Sequence, residues 1–245
     1  MKHTSSERKY RTICSPRSGE TAYQAVVEES DLYIISRGNH ARAVLKRLTT
    51  IRGWIKAYIL AHPGFAESLE PVEYREPCPA LIKEMILAGQ MFNVGPMAAV
   101  AGAIAQDTAR HISRVSSEAL VENGGDIYIF STRDRQVALL PCPEKGASLG
   151  IKVKASDTPC SICSSSSTIG HSLSLGRGSL VSVRAESGAV ADAAATALCN
   201  MIKSRKSLHK LENKRSELEK KGIQGVFAQA GNDMLVWGNM ELVMI

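Results

Sequence analysis

An alanine-rich segment, residues 191–200, places the strongest constraint on how this chain can fold. It reads A-D-A-A-A-T-A-L-C-N. Its polar residues Asp192, Thr196 and Asn200 are spaced four apart, so they share one face of a helix. The remaining surface is small and apolar nearly all round, which predicts a buried helix. Because a buried carboxylate is costly unless something pairs with it, the question is what Asp192 faces.

The bulk composition is that of a globular chain with a sizeable core. The 245 residues are 44% hydrophobic and 22% charged, but only 5% aromatic, so we expect close packing of small residues. This length suits one large domain or two small ones. We predict a single domain over residues 1–245, in which residues 1–20 form a loose N-terminal arm.

The charge pattern bears on partners and location. The net charge is +6, and much of the basic excess lies in residues 8–11 and 203–221, where glutamates are interspersed in the second segment. A solvated helix face explains this pattern, and no aromatic interleaving or reading motif points to nucleic acid. With no signal peptide and no run that could span a bilayer, we expect a cytoplasmic protein without membrane or nucleic-acid partners. Its six cysteines are then expected to be thiols.

Periodicity predicts helices packed against a mixed or antiparallel sheet, the α+β class. Besides the alanine-rich segment, helices are predicted at residues 41–60, 80–92, 97–113 and 206–221. Strands are predicted at residues 21–27, 32–35, 119–122, 127–130, 136–140, 149–154, 180–185, 226–230 and 234–237. The serine-rich stretch that begins at Cys160 is predicted to be a polar loop leading into strand 180–185.

Two groups of polar residues are candidates for ligand chemistry. Asp192 and Thr196 are oxygen donors of the kind that Mg²⁺ prefers, or else a first-turn acid favoured by the helix dipole and a threonine bonded back to the preceding turn. The serine-rich loop offers amides and hydroxyls that can cradle phosphate, with one imidazole as acid, base or donor, or it is simply a polar surface loop. Its candidate residues are Ser165, Ser166, Thr168, Gly170 and His171.

Two further motifs have both a structural and a functional interpretation. Asn123-Gly124-Gly125 is typical of a tight hairpin turn, and it would also let backbone amides approach a ligand closely. Cys160 and Cys163 have the spacing of half a zinc site, but no second pair completes it. They are either ordinary thiols or a thiol relay with a lowered thiol pKa.

Five motifs together resemble an ApbE-like family found mainly in archaea and anaerobic bacteria. The matching segments are residues 63–69, 94–102, 121–128, 168–174 and 191–197. The same order of motifs is similar, more distantly, to the ApbE flavin transferases, which use FAD and magnesium to attach FMN to a serine or threonine of a target protein. The resemblance covers most of the chain and implies an ApbE-like, T-fold-like architecture.

The resemblance also implies roles for residues. Asp192 and Thr196 would be metal ligands, His171 would lie at the phosphate or catalytic position, and Gly124 and Gly125 would line a flavin pocket. The cofactors implied are FAD or FMN and Mg²⁺. The partners implied are a flavin or other nucleotide and an acceptor protein, and we also expect a homo-oligomer.

The chain departs from the transferase pattern at three points. Ala101 stands where the transferases carry a lysine, Leu173 and Ser174 follow His171 in place of an Asp-Pro pair, and Ser167 replaces a glycine of the closer family. Three functions therefore remain open. One is a flavin-binding protein with phosphoanhydride cleavage or FMN transfer. The second is a sulfur-handling accessory protein that uses Cys160 and Cys163, as relatives in methanogens look linked to sulfur assimilation and homocysteine formation. The third is a non-catalytic binding protein on the same fold.

Overall fold

A computed structural model of the chain describes Arg11 and residues 14–139, 149–166, 180–202 and 205–245. Within these ranges the strands are β1 Thr21–Val27, β2 Ser30–Ser36, β3 Ala119–Asn123, β4 Asp126–Phe130, β5 Arg135–Ala138, β6 Leu149–Val153, β7 Cys160–Ser165, β8 Leu180–Ala185, β9 Ile223–Ala230, β10 Asp233–Gly238 and β11 Glu241–Met244. The α-helices are α1 Ala41–Ala61, α2 Ala80–Phe92, α3 Val100–Ile112, α4 Gly188–Met201, α5 Arg205–Glu212 and α6 Arg215–Lys220.

The strands form two antiparallel sheets. The larger sheet has eight strands in the order β1-β2-β3-β4-β7-β8-β9-β10, and the smaller has three in the order β11-β6-β5. Helices α1 to α4 cover one face of the large sheet, where they share a core with its inward-facing residues. The small sheet packs on the opposite face over a second core. The predicted α+β class is confirmed, with both sheets antiparallel.

Strand β7 corrects the prediction of a loop beginning at Cys160. The strand is central in the large sheet and nearly all of it is buried, so its residues do not alternate between apolar and polar. The serines are accommodated because their hydroxyls find partners inside the sheet: Ser161 Oγ donates to the carbonyl of Ile127 at 2.9 Å, and Ser164 Oγ lies 2.7 Å from Ser182 Oγ. A hydrogen-bonded serine tolerates burial at little cost, and this is why polar composition was misleading here.

Two predicted helices are each divided in the structure. Segment 97–113 begins with a 3-10 turn, Pro96–Ala99, before α3 starts at Val100. Segment 206–221 forms α5 and α6, which are separated at Asn213 and Lys214. Among the described residues, no single helix has the length and apolar composition to span a membrane; only the pair Ala80–Phe92 and Pro96–Ile112, bent by 107°, meets those criteria jointly.

Helices α3 and α4 cross at a point where both carry glycine. A Cβ added to Gly102 would lie 2.2 Å from the carbonyl oxygen of Gly188, and one added to Gly188 would lie 2.2 Å from that of Gly102. The Gly188 N–H also donates to the side-chain oxygen of Gln106 on α3. Only residues without a side chain permit two backbones to approach this closely. This crossing sets the position of the whole α4 helix over the sheet.

A buried charged cluster fastens the small sheet to the large one. The carboxylate of Glu118, just before β3, accepts hydrogen bonds from Ser131 Oγ at 2.5 Å and from the Arg135 guanidinium at 2.7 Å. Arg135 also pairs with Glu20 at 2.5 Å. Burial alone would raise the pKa of Glu118, but the hydrogen bonds from Ser131, Thr132 and Arg135 outweigh it and lower this pKa from 4.5 to about 2.

We expect Glu118→Gln to lower the free energy of unfolding at pH 7 by about 3 kcal/mol, because it leaves part of a buried arginine unpaired. Since the folded-state pKa of Glu118 is depressed, its stabilising contribution is present above pH 4.5 and is lost as the pH falls towards 2. Urea unfolding from pH 7 to 2 measures this, with exposed Glu73→Gln as the matched control, for which we expect at most about 1 kcal/mol. Parallel stability curves for wild type and Glu118→Gln between pH 4.5 and 2 would contradict the assignment.

Candidate functional site

The Asn-Gly-Gly motif forms the tight turn between β3 and β4. Asn123 pairs with Asp126, and Gly124 and Gly125 between them have φ angles of 69° and 108°. Two central residues with positive φ are typical of the turn that joins two twisted antiparallel strands. The side chains of Asn123 and Asp126 project to the same side of the hairpin as Val121 and Tyr128, which is the face covered by the helices.

Hydrogen bonds hold this turn in place. Asn123 Nδ2 donates to the carbonyl of Ala101 in the first turn of α3 at 3.2 Å, while the Gly125 N–H donates to Glu122 Oε1 at 2.8 Å. Arg11 in turn donates to the other oxygen of Glu122 at 2.7 Å. The amide of Gly125, which we predicted to approach a ligand, therefore already has a partner within the protein.

Asp192 lies where the glycine crossing brings α4 against the start of α3. Its Oδ2 accepts a hydrogen bond from the Gly102 N–H at 2.9 Å, and the amide of Ala101 also contributes to stabilising its charged form. These N–H groups have no partner within α3 and carry its positive dipole end. Thr196 lies one turn further along α4, and each of the two residues is 8% exposed. The predicted Asp192–Thr196 edge is thus largely buried.

A second carboxylate, Asp126, lies next to this edge. Its Oδ1 accepts a hydrogen bond from the Ser164 N–H at 3.0 Å, and its carboxylate also bonds with the Cys163 thiol. Burial raises the pKa of Asp126 to about 7, and the charge of Glu122 adds to that effect. Burial likewise raises the pKa of Asp192 well above its usual range, and repulsion by Asp126 raises it further.

Neither carboxylate has a basic partner among the described residues. Within the described part of the chain, no lysine, arginine or histidine forms an ion pair or hydrogen bond with Asp126 or Asp192. Backbone amides and a thiol are their donors. Two neighbouring buried carboxylates without a countercharge are unfavourable when both are ionised. Among the described residues, only uncharged donors therefore offset the charge of the two carboxylates.

The serine-rich segment is described only in part. Ser165 ends β7 on the same face as Cys163, and its Oγ is buried without a hydrogen-bond partner among the described residues. Ser166 follows it and is also buried. Thr168, Gly170 and His171 lie outside the described residues. A buried hydroxyl without a hydrogen-bond partner is uncommon in native proteins, which makes Ser165 Oγ a candidate ligand contact.

Cys160 and Cys163 point to opposite faces of β7. Cys160 belongs to the core beneath the small sheet and Cys163 to the core beneath the helices. Both are fully buried, and burial raises the pKa of each thiol. A reactive thiol is partly accessible and has a lowered pKa. The structure gives these cysteines neither property, and their opposite orientation is unsuited to a relay between them.

The donor set at Asp192 fits a magnesium ion. Carboxylate and hydroxyl oxygens are the hard ligands that Mg²⁺ accepts, and it typically binds through one or two carboxylates and fills its remaining positions with water and substrate phosphate. Among the described residues, no group of three or more histidine, cysteine, aspartate or glutamate side chains is arranged to hold a metal ion alone.

The sequence spacing predicts that Asp192 and Thr196 lie together on one helix face, but it does not reveal Asp126 and Cys163 as neighbours of Asp192. The sequence feature that could have indicated Asp126 is its position directly after the two glycines of a tight turn, which places it opposite Asn123. The sequence feature that could have indicated the crossing of α3 and α4 is Gly102. A glycine inside a helix is destabilising, and it is tolerated where another backbone or a ligand comes close.

Comparison with known proteins gives relatives over most of the chain. The sequence model of a family described as AbpE bacteria matches residues 13–224. A UPF0280 protein of Methanocaldococcus jannaschii is 36% identical over 196 residues, covering 77% of this chain and 79% of that protein. A UPF0280 protein of Methanosarcina acetivorans is 31% identical over 205 residues, covering 83% of this chain and 81% of that protein.

Two solved structures share the fold. The flavin transferase ApbE of Vibrio cholerae has a TM-score of 0.58 and 11% identity, covering 90% of this chain and 97% of that chain. The apo flavinyl transferase ApbE of Pseudomonas stutzeri has a TM-score of 0.59 and 13% identity, covering 90% of this chain and 94% of that chain. At such identities the likeness establishes the fold alone.

Proposed function

The chain belongs to the AbpE bacteria family, together with the UPF0280 proteins, and we propose that it binds a flavin dinucleotide with Mg²⁺. We further propose that it cleaves the phosphoanhydride of this dinucleotide. The membership confirms the resemblance inferred from the sequence motifs. The observation that carries the proposal is a pair of buried carboxylates, Asp126 and Asp192, which have no countercharge among the described residues and lie beside the Gly-Gly turn and the start of α3. The names of the solved neighbours supply the substrate class, a flavin, and the resemblance in sequence motifs implies FAD as its form.

In the proposed mechanism, Asp192 and Thr196 hold the cation. When bound, Mg²⁺ neutralises the charge that develops on the diphosphate during phosphoryl transfer. Asp192 is kept in position by the amides of Ala101 and Gly102. Asn123 ties the Gly-Gly turn to the same helix start, which keeps the turn and the metal edge at a fixed separation. Ser165 Oγ supplies a hydrogen-bonding group that has no partner within the described chain.

The chemical step is a displacement at the phosphorus on the FMN side of the phosphoanhydride. The hydroxyl oxygen of an acceptor serine or threonine forms the new P–O bond, the bond to the AMP phosphate breaks, and AMP leaves. The hydroxyl proton passes to a base; the resemblance places His171 at the phosphate or catalytic position, where it would supply or remove a proton. If water takes the place of the acceptor hydroxyl, the products are FMN and AMP.

The test is incubation of the purified protein with FAD and Mg²⁺, followed by chromatography for AMP and by flavin fluorescence for binding. We expect a bound flavin and Mg²⁺-dependent AMP release that EDTA abolishes, because the diphosphate charge then lacks its counterion. If the protein neither binds flavin nor releases AMP, the proposal is wrong. Bound flavin without AMP release, with or without an acceptor peptide, would instead identify a non-catalytic binding protein on this fold.

A further inference from the structure

We propose that Asp126 is a second carboxylate ligand of the divalent cation, acting together with Asp192. The inference rests on the proposed function for the presence of the cation, and it identifies the residue that completes the protein's share of the site. Asp126 belongs to the β3–β4 hairpin and Asp192 to α4, so the cation would join the sheet to the helix layer.

Contacts through β7 place Asp126 beside α4. Asp126 Oδ1 is bonded to the Ser164 N–H, and its carboxylate to the Cys163 thiol. The sulfur of Cys163 also lies 3.6 Å from the carbonyl oxygen of Gly188. Gly188 precedes Asp192 by one helical turn on the same face of α4. Cys163 therefore touches both the second carboxylate and the helix turn that leads to the first.

The bonds made by Asp126 leave it able to bind a metal. An ionised carboxylate has about four lone-pair sites, and the described residues provide two donors, an amide and a thiol. Neither donor carries a positive charge, so the carboxylate is held in position without being neutralised. Asp192 is held in the same manner by the amides of α3. Two oriented carboxylates without a countercharge are the ligand set that Mg²⁺ accepts from a protein before adding water and phosphate.

An independent observation also indicates a ligand at this place. Ser165 is 3% exposed, and its buried Oγ has no hydrogen-bond partner among the described residues. Side chains alternate along a strand, so Ser165 lies on the same face of β7 as Cys163. A water or phosphate oxygen bound to the cation would satisfy this hydroxyl.

The test compares cation affinity in Asp126→Asn and Glu122→Gln, using titration of the full-length protein with Mn²⁺ followed by electron paramagnetic resonance. Each variant removes one carboxylate from the β3–β4 hairpin. Glu122, however, faces Arg11 on the other side of the sheet. We expect Asp126→Asn to weaken Mn²⁺ binding roughly 10- to 100-fold. We expect Glu122→Gln to stay within about twofold of wild type, because Glu122 does not coordinate the ion and acts on Asp126 only through its charge from the far face of the sheet.

A thermal readout separates a ligand from a structural residue. Asparagine has the shape of aspartate and keeps an oxygen to accept the Ser164 N–H, while it removes repulsion from Asp192. We therefore expect metal-free Asp126→Asn to unfold at the same temperature as wild type or higher, and to lose the rise in Tm that Mg²⁺ gives the wild type. A metal-free Tm well below that of wild type would assign Asp126 a structural role and overturn the inference.

The outcomes distinguish this inference from the function on which it rests. If wild type binds Mn²⁺ and Asp126→Asn binds it equally well, the assignment of Asp126 is wrong while the proposed function stands. If wild type binds no Mn²⁺ even with FAD present, the cation site of the proposed function is wrong and this inference fails with it. If Asp126→Asn and Glu122→Gln lose Mn²⁺ affinity to the same extent, the loss is an effect of long-range charge, and the inference is also wrong.

Discussion

Gly102→Ala is expected to destabilise the fold by about 3 kcal/mol or more, although alanine is the better helix former by about 1 kcal/mol. The new Cβ would lie 2.2 Å from the Gly188 carbonyl oxygen and 2.9 Å from Asp192 Cβ. Both obstacles are held by the backbone of α4, so relief requires the helices to separate. Urea unfolding followed by circular dichroism gives the change in the free energy of unfolding.

Gly53→Ala in α1 is the matched control for Gly102→Ala. Gly53 is an exposed helix residue at which a Cβ would meet nothing within 4 Å. There we expect a stabilisation of about 0.5–1 kcal/mol, because only the helix propensity changes. If the two substitutions stabilise the protein equally, the close approach of α3 and α4 does not limit packing, and the explanation of Gly102 is wrong.

The second large effect is expected at Asp192. Asp192→Asn should reduce Mg²⁺-dependent AMP release from FAD at least about a hundredfold, because a metal that neutralises phosphate charge supplies several kcal/mol of transition-state stabilisation. Asparagine keeps an oxygen for the Gly102 N–H, so the start of α3 remains capped. Initial rates of AMP formation and Mg²⁺ affinity by calorimetry measure the effect, and circular dichroism checks that the fold is retained.

Thr196 supplies a matched pair for the same metal edge. Thr196→Ser keeps the hydroxyl and is expected to retain most of the Mg²⁺ affinity, whereas Thr196→Val keeps the shape and removes the donor. Unchanged Mg²⁺ affinity in both Asp192→Asn and Thr196→Val would show that this edge of α4 does not hold the cation. A loss in Asp192→Asn alone would leave the carboxylate as the ligand and give Thr196 a packing role.

Much of the fold was predictable because local signals agree with the tertiary arrangement. The bounds of α2 and β8 in the structure are those that periodicity predicts, 80–92 and 180–185. Both segments are apolar runs whose ends carry clear breaking or capping residues. Strand β7 could not be predicted in this way, because its serines are satisfied by partners on β4 and β8. Which hydroxyls will find such partners depends on sheet order, and composition carries no information about sheet order.

The candidate site was predictable only along one helix. The spacing of Asp192 and Thr196 places them together on α4, since four residues make about one turn. Asp126 could not be placed in this way, because its neighbours Ser164 and Asp192 belong to β7 and α4, which lie beside it only after the sheet has assembled. Nothing in the local sequence indicates that a turn aspartate will be buried opposite a helical one. The environment of a single residue is a tertiary property, even where the strand that carries it is predicted correctly.

The bond between the Gly102 N–H and Asp192 also has a consequence for the order of folding. It joins residues 90 positions apart, and the Ser164–Asp126 bond spans 38. Contacts between distant parts of a chain form only after loop-closure entropy has been overcome, so they develop late. During synthesis, the first half of the polypeptide can build the β3–β4 hairpin but has no carboxylate to place at the start of α3. If the chain binds the cation as proposed, affinity for it therefore arises only after α4 has been synthesised and has docked against α3.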